Sequence, residues 1–189
     1  DCASFNFDLG HERPLDLEQT IKEIKDADVI VFAGGISPQL EGEEMPVHIP
    51  GFRGGDRDLI ELPEIQTILL RRLKATGKPI VMVNYSGSAI ALTEESEICD
   101  AVLQAWYPGQ AGGAALADVL LGAYNTAGRL PVTFYKATSE LPDFQEYSMQ
   151  NRTYRYYKGT PLYPFGHGLS YSTFNYGQAK LSTKKLPTD

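Results

Sequence analysis

Apolar residues recur along this chain in two rhythms, and their alternation predicts the architecture. Leu17, Ile21 and Ile24 fall at helical spacing behind Gly10 and Pro14, which predicts an amphipathic helix over residues 15–26. Val29-Ile30-Val31-Phe32 comes next as an unbroken run of β-formers, the pattern of a strand buried on both faces of a parallel sheet. Pro63 suits a first helical position, and Ile65, Ile68, Leu69 and Leu73 give one apolar stripe that ends near Gly77. Residues 79–84 and 101–106 predict two more strands with a short helix between them around 93–98. Ala111 to Leu121 is then an Ala-rich helix closed by Gly122. Strands alternating with helices over short crossovers predict the α/β class, as a three-layer α/β/α sandwich with a mostly parallel sheet. Beyond Gly128, residues 129–135 read as a strand. The rest of the chain is rich in Tyr, Pro and Gly without helical period, an irregular aromatic C-terminal segment expected to wrap the sheet. Residues 1–177 read as one domain and 178–189 as a tail or linker to a following domain.

Composition narrows the function classes. With 42% hydrophobic and 22% charged residues in 189, the chain fits a folded domain with a real core. A net charge of −7 and the lack of a basic stripe argue against a nucleic-acid partner. No apolar run approaches the roughly 20 residues of a membrane-spanning helix. The opening Asp1-Cys2-Ala3-Ser4-Phe5 has neither an initiating Met nor a signal-peptide pattern and reads as a piece of a longer chain. Cys2 and Cys99 either pair or stay free; spacing does not decide between the two.

Residues 34–62 draw the chemical argument. Compact domains rarely keep so long a connection without regular structure unless it binds or catalyses something, and this one concentrates carboxylates. It leaves a strand at Phe32-Ala33-Gly34, and ligands of doubly wound sheets sit at the carboxyl ends of strands. A carboxyl group in a partly closed pocket can donate a proton to an acetal oxygen near neutral pH, and Glu41, Glu43 and Glu44 are the candidates. A solvated acidic loop is the plainer reading. A hard-cation site of Glu41, Glu43, Glu44 and His48 is a third, weakened by the absence of a motif with fixed spacing.

Other features carry less. Residues 107–113 lie between a strand and a helix, where anion-binding loops occur, but match neither the dinucleotide fingerprint nor a P-loop; close helix-to-strand packing explains their glycines more simply. Ser86-Gly87-Ser88 lacks the flanking glycines of a nucleophile elbow. Asp56 and Arg57 either orient a polar ligand or pair locally to hold a glycine-rich turn, the latter being commoner. Trp106 reads as core, and the aromatics from Tyr147 to Tyr176 as packing of the tail onto this domain or a neighbour.

Several separated segments together resemble the C-terminal α/β sandwich domain of glycoside hydrolase family 3, the β-glucosidases and β-xylosidases. They are residues 27–32, Leu40-Glu41-Gly42-Glu43, Gly54-Gly55-Asp56-Arg57 leading into residues 62–66, and residues 77–81. Trp106-Tyr107-Pro108-Gly109-Gln110 with Gly112-Gly113, residues 128–134 and residues 163–171 continue the same order. The resemblance implies an exo-acting retaining glycosidase that removes terminal β-D-xylosyl or β-D-glucosyl residues, without cofactor or metal. It implies that this domain carries the general acid/base, at Glu41 or, as second choice, Glu43, with Met45, Asp56 and Arg57 as weaker substrate contacts. The nucleophile is then expected on a preceding TIM-like barrel of the same polypeptide, so the fragment alone is expected to be inactive. A periplasmic or secreted parent is implied as well. The resemblance also implies a strand-helix unit ahead of Ala27, which residues 1–26 do not supply, so one sheet edge is expected to be open. A non-catalytic carbohydrate-binding or scaffold module is the alternative, and a nucleotide-binding domain a more distant one.

Overall fold

The computed structural model describes residues 16–42, 44–47 and 49–185. Asp16 accepts a hydrogen bond from the Gln19 amide and so caps α1, Leu17–Glu23, shorter than the apolar spacing predicts. β1 (Ile30–Gly35), β4 (Ile80–Tyr85) and β5 (Ala101–Gln104) form a parallel sheet in the order β1-β4-β5, with Ile30 beside Ile80 and Val81 beside Ala101. Between β1 and β4, Phe52–Arg53 (β2) and Asp56–Arg57 (β3) pair as a hairpin within the segment expected to lack regular structure. Its two-residue turn, Gly54-Gly55, has both φ angles positive, the geometry whose twist matches flanking strands.

α2 (Glu64–Lys74) begins one residue later than expected, because Pro63 occupies the N-cap. With α3 (Thr93–Ile98) and α1 it packs on one face of the sheet. Leu69, Leu70, Leu73, Ile80, Met82, Ile90 and Leu92 are buried there, the α2 leucines meeting every second residue of β4. The other face is covered less. Val31 is 52% exposed on that face of β1.

α4 (Gly112–Leu120) buries no residue and flanks a cavity of about 630 Å³ beside β5. Gly109 and Gly113 have no neighbour where a side chain would stand, and Gly112 faces only Pro108, so close helix-to-strand packing does not account for these glycines. The strand expected over 129–135 is reduced to a single bridge between Phe134 and Tyr163, since Pro131 lacks the N–H a ladder needs. Phe134 is buried, edge-on to both Trp106 and Tyr163, which gives Trp106 the packing role expected of it. Among its described residues the C-terminal segment holds a 3-10 turn, Thr138–Glu140, which bonds Ile60 and Glu61, and one short α-helix, α5 (Thr153–Tyr156). Phe144, Tyr147, Tyr171 and Tyr176 are each at least 90% exposed.

Candidate active site

The three parallel strands end side by side, and the loops that leave their carboxyl ends converge on Glu41. From β1 the chain continues through Ile36, whose amide extends the ladder to the Tyr85 carbonyl. It then turns at residues 37–40 and delivers the Glu41 carboxylate. From β4 come the Gly87 amide, donating to Glu41 Oε2 at 3.0 Å, and the Ser88 hydroxyl, donating to Oε1 at 2.5 Å. From β5 comes Tyr107, whose hydroxyl donates to Oε2. The hairpin supplies a fourth member: Arg57 Nη1 donates to Ser88 Oγ at 2.8 Å and to the Ala89 carbonyl, so its charge reaches Glu41 through the serine.

Each member is held from behind. Gln66 of α2 bonds both the N–H and the C=O of Gly35, fixing the end of β1 to the helix. Asn84, Ser86 and Gln104 form a buried polar link between the ends of β4 and β5, with Gln104 donating to Ser86 at 3.0 Å. Trp106 adopts a left-handed φ of 56°, a conformation that costs a non-glycine residue about 1–3 kcal/mol and turns Tyr107 back towards Glu41. Gly87 has no room for a side chain, because a Cβ there would stand against the Tyr107 ring and Glu41 Oε2. The acidic loop is folded on itself by the Met45 amide donating to the Gly54 carbonyl and by Gly55 lying directly on the Gly42 carbonyl.

Electrostatics follow from these partners. Burial alone pushes the Glu41 carboxyl upward, but the bonds from Ser88, Tyr107 and Gly87 and the charge of Arg57 outweigh it, leaving the pKa below the usual value. Burial lowers Arg57, opposed by Glu41 and Glu61. Tyr107 is pushed up by burial, by its bond to Glu41 and by that charge, so it remains a donor. Glu61 accepts two bonds from Thr138, and they outweigh its burial to lower its pKa.

The structure therefore brings Glu41 and Arg57 together. Asp56 points away and is exposed, because successive strand residues face opposite ways; the local Asp56–Arg57 pair is replaced by Arg53–Asp58 at 3.1 Å across the hairpin. Met45 packs on Gly42 and the core margin. Glu43 and His48 lie outside the described residues, and with them half of the four-ligand metal set; among the described residues no cluster suited to a metal ion occurs. A cavity of about 470 Å³ opens beside the site between residues 32–38, Leu40, Ile65, Gln66, Tyr85 and Tyr107. Sequence reasoning does not find Gly87, Ser88 and Tyr107 as partners of Glu41. The signal for them is positional: they follow β4 and β5, whose carboxyl ends share one edge with β1.

Comparison with known proteins identifies the family of the chain. The sequence profile described as "Glycosyl hydrolase family 3 C-terminal domain" matches residues 12–171. A protein of Xylanibacter ruminicola named xylan 1,4-beta-xylosidase is 56% identical over 95% of this chain, which spans 21% of that protein. A periplasmic beta-glucosidase of Salmonella typhimurium is 35% identical over 92% of the chain, which spans 23% of it. Among solved structures, the exo-beta-xylosidase XlnD in complex with a xylobiose aziridine probe superposes with a TM-score of 0.67 and 34% identity, covering 83% of this chain and 20% of that one. The chain thus spans about a fifth of the length of the relatives it matches. On its profile match and on the glycosidases it resembles, this chain belongs to glycoside hydrolase family 3, as the family's C-terminal domain.

Proposed function

We propose that this chain is the acid/base-bearing domain of a retaining, exo-acting β-glycosidase that removes terminal β-D-xylosyl or β-D-glucosyl residues. The observation that carries the reading is the convergence of three strand-end loops on the carboxylate loop beginning at Glu41, in a domain whose relatives are named β-xylosidases and β-glucosidases. In the retaining mechanism two carboxyl groups stand about 5–5.5 Å apart. One attacks the anomeric carbon while the other protonates the departing glycosidic oxygen. The second then takes a proton from the water that releases the sugar from its covalent ester. The proton donor is assigned to the Glu41–Glu43 loop, and the nucleophile to a TIM-like barrel elsewhere in the parent polypeptide. A periplasmic or secreted parent fits the printed name of the Salmonella relative.

Two measurements test this. The 189-residue chain alone should not turn over an aryl β-xyloside or β-glucoside that its parent hydrolyses; turnover by the fragment contradicts the division of labour. Treating the parent with an activated 2-deoxy-2-fluoro glycoside should leave the sugar on an acidic residue outside this chain. A label on any residue within the chain contradicts the reading equally.

A further inference from the structure

The loop that leaves β4 carries two of the groups that meet Glu41, the Gly87 amide and the Ser88 hydroxyl. A strap holds that loop from its other side. Residues 57–61, which leave the hairpin, run alongside residues 88–91. Arg57 Nη1 donates to Ser88 Oγ and to the Ala89 carbonyl. The Ala91 amide donates to the Ile60 carbonyl at 2.8 Å, and Glu61 and Ala91 form a parallel bridge. Arg57 Nε donates to the Leu59 carbonyl, which ties the guanidinium to the strap itself.

Thr138 grips this strap from 77 residues beyond Glu61. Its hydroxyl accepts from the Ile60 amide at 2.9 Å and donates to Glu61 Oε2 at 2.5 Å, while its amide donates to Glu61 Oε1 at 2.8 Å. Because the Ile60 N–H points at the Thr138 oxygen, the hydroxyl proton is directed to Glu61, and the pattern has one arrangement. The turn that Thr138 opens is fixed in its own right. Thr93 donates to the Lys136 carbonyl at 2.7 Å, the Lys136 amide donates to Glu140, and Phe134 is buried four residues ahead of Thr138. The charge of Arg57 acts on Glu41 and on Glu61 alike, so the carboxylate that Thr138 holds also holds the arginine. We infer that Thr138 and Glu61 form a latch that positions the acid/base loop: through the strap and Arg57 they fix Ser88, and through Ser88 the carboxylate of Glu41. This rests on the acid/base reading above and adds two positioning residues to it.

The experiment uses the full-length parent enzyme and two substrates of its preferred sugar. One is a 2,4-dinitrophenyl glycoside, which leaves without a proton, and the other a methyl glycoside, which needs one. Thr138→Val removes the hydroxyl and keeps the shape. It should lower kcat/KM for the methyl glycoside by about 10- to 100-fold, the range from one lost hydrogen bond to a reacting group displaced by an ångström. The dinitrophenyl glycoside should stay within about twofold of wild type, because its departure needs no general acid. Thr138→Ser keeps the hydroxyl and should return the methyl glycoside to within about twofold as well. In Ser88→Ala the latch has lost the group it acts through, so adding Thr138→Val should cost no further activity. Glu61→Gln cuts the same latch more mildly and should show the same selectivity by a smaller factor. It keeps the test available if Thr138→Val does not fold.

Equal loss on both substrates would make Thr138 a structural residue alone and overturns the latch. Full activity of Thr138→Val on the methyl glycoside overturns it too, as do losses that multiply with those of Ser88→Ala. The acid/base reading is judged separately, by replacing Glu41 and Glu43 together. If that variant treats the two leaving groups alike, the acid/base reading fails and takes the latch with it; if it discriminates while Thr138→Val does not, only the latch is overturned.

Discussion

Gly55→Ala is the sharpest perturbation of the loop that carries the acidic residues. Gly55 has a φ of +93°, and a Cβ there would lie within the Gly42 carbonyl, so both backbone conformation and space oppose any side chain. A left-handed non-glycine residue costs about 1–2 kcal/mol. Forcing atoms into a packed contact adds about 1–3 kcal/mol, and the obstacle here is backbone rather than the yielding end of a side chain. The sum is about 2–5 kcal/mol. The fold contains its own control in Gly77, which lies beyond α2 with a φ of +75° and nothing within 4 Å of a built Cβ. Gly77→Ala should therefore cost only the conformational part, about 1–2 kcal/mol. Urea denaturation of both variants measures the difference. The consequence for function is separable, because relieving the Gly55 collision moves Gly42 and the loop it belongs to. The parent enzyme should lose about 100-fold in kcat/KM with Gly55→Ala and stay at the wild-type rate with Gly77→Ala. Equal destabilisation by the two substitutions, or an unchanged rate with Gly55→Ala, would refute the reasoning.

Burial and charge give three further outcomes. Glu41 and Glu61 have folded-state pKa values below the ordinary 4.5, because hydrogen bonds and Arg57 outweigh burial, so the unfolded chain takes up their protons first. Their contribution to stability is present above the unfolded value and is lost as pH falls through the folded one. Urea midpoints should therefore drop below pH 4.5, and less steeply in Glu41→Gln; identical profiles would contradict this. Cys99 is buried and its thiol is pushed up to about 11 by desolvation and by nearby Glu95, so at about pH 8 a thiol reagent should modify it only after denaturant is added. Leu70, wholly buried under the sheet, should cost about 3–5 kcal/mol when replaced by alanine, read by the same denaturation assay.

The α/β class is legible because hydrophobic runs are the physical cause of buried strands. Val29 to Phe32 and residues 79–84 are runs of β-formers that become β1 and β4, with Ile30, Phe32, Ile80 and Met82 in the core beneath the α2 stripe, while Val29 and Val31 stay half exposed. The hairpin escapes a sequence reading because its strands are two residues long and give no periodicity; its one trace is Gly54-Gly55, a turn pair that looks the same in an open loop. The strand over 129–135 fails for a different reason: Leu130 and Phe134 both bond to the segment 163–167, but Pro131 between them has no N–H to continue a ladder. In the site, Glu41 is legible from its position at a strand end. Its partners are not, because Ser88 and Tyr107 stand 47 and 66 residues away and meet it only through the parallel register of β1, β4 and β5. Arg57 is visible as a candidate, though its task of orienting Ser88 depends on that same tertiary contact.

The central claim is that the acidic loop of this domain protonates the leaving group while the nucleophile comes from elsewhere in the parent. Replacing Glu41 and Glu43 together by alanine in the parent enzyme, and comparing pre-steady-state release of dinitrophenol with steady-state release of methanol from the matching glycosides, tests it most directly. The account predicts that a burst of dinitrophenol survives, reduced by loss of the hydrogen bonds Glu41 accepts from Gly87, Ser88 and Tyr107, while methanol release falls by a further factor of about 100 or more, the contribution of a general acid. Parallel loss of both products, or parallel survival, would contradict it.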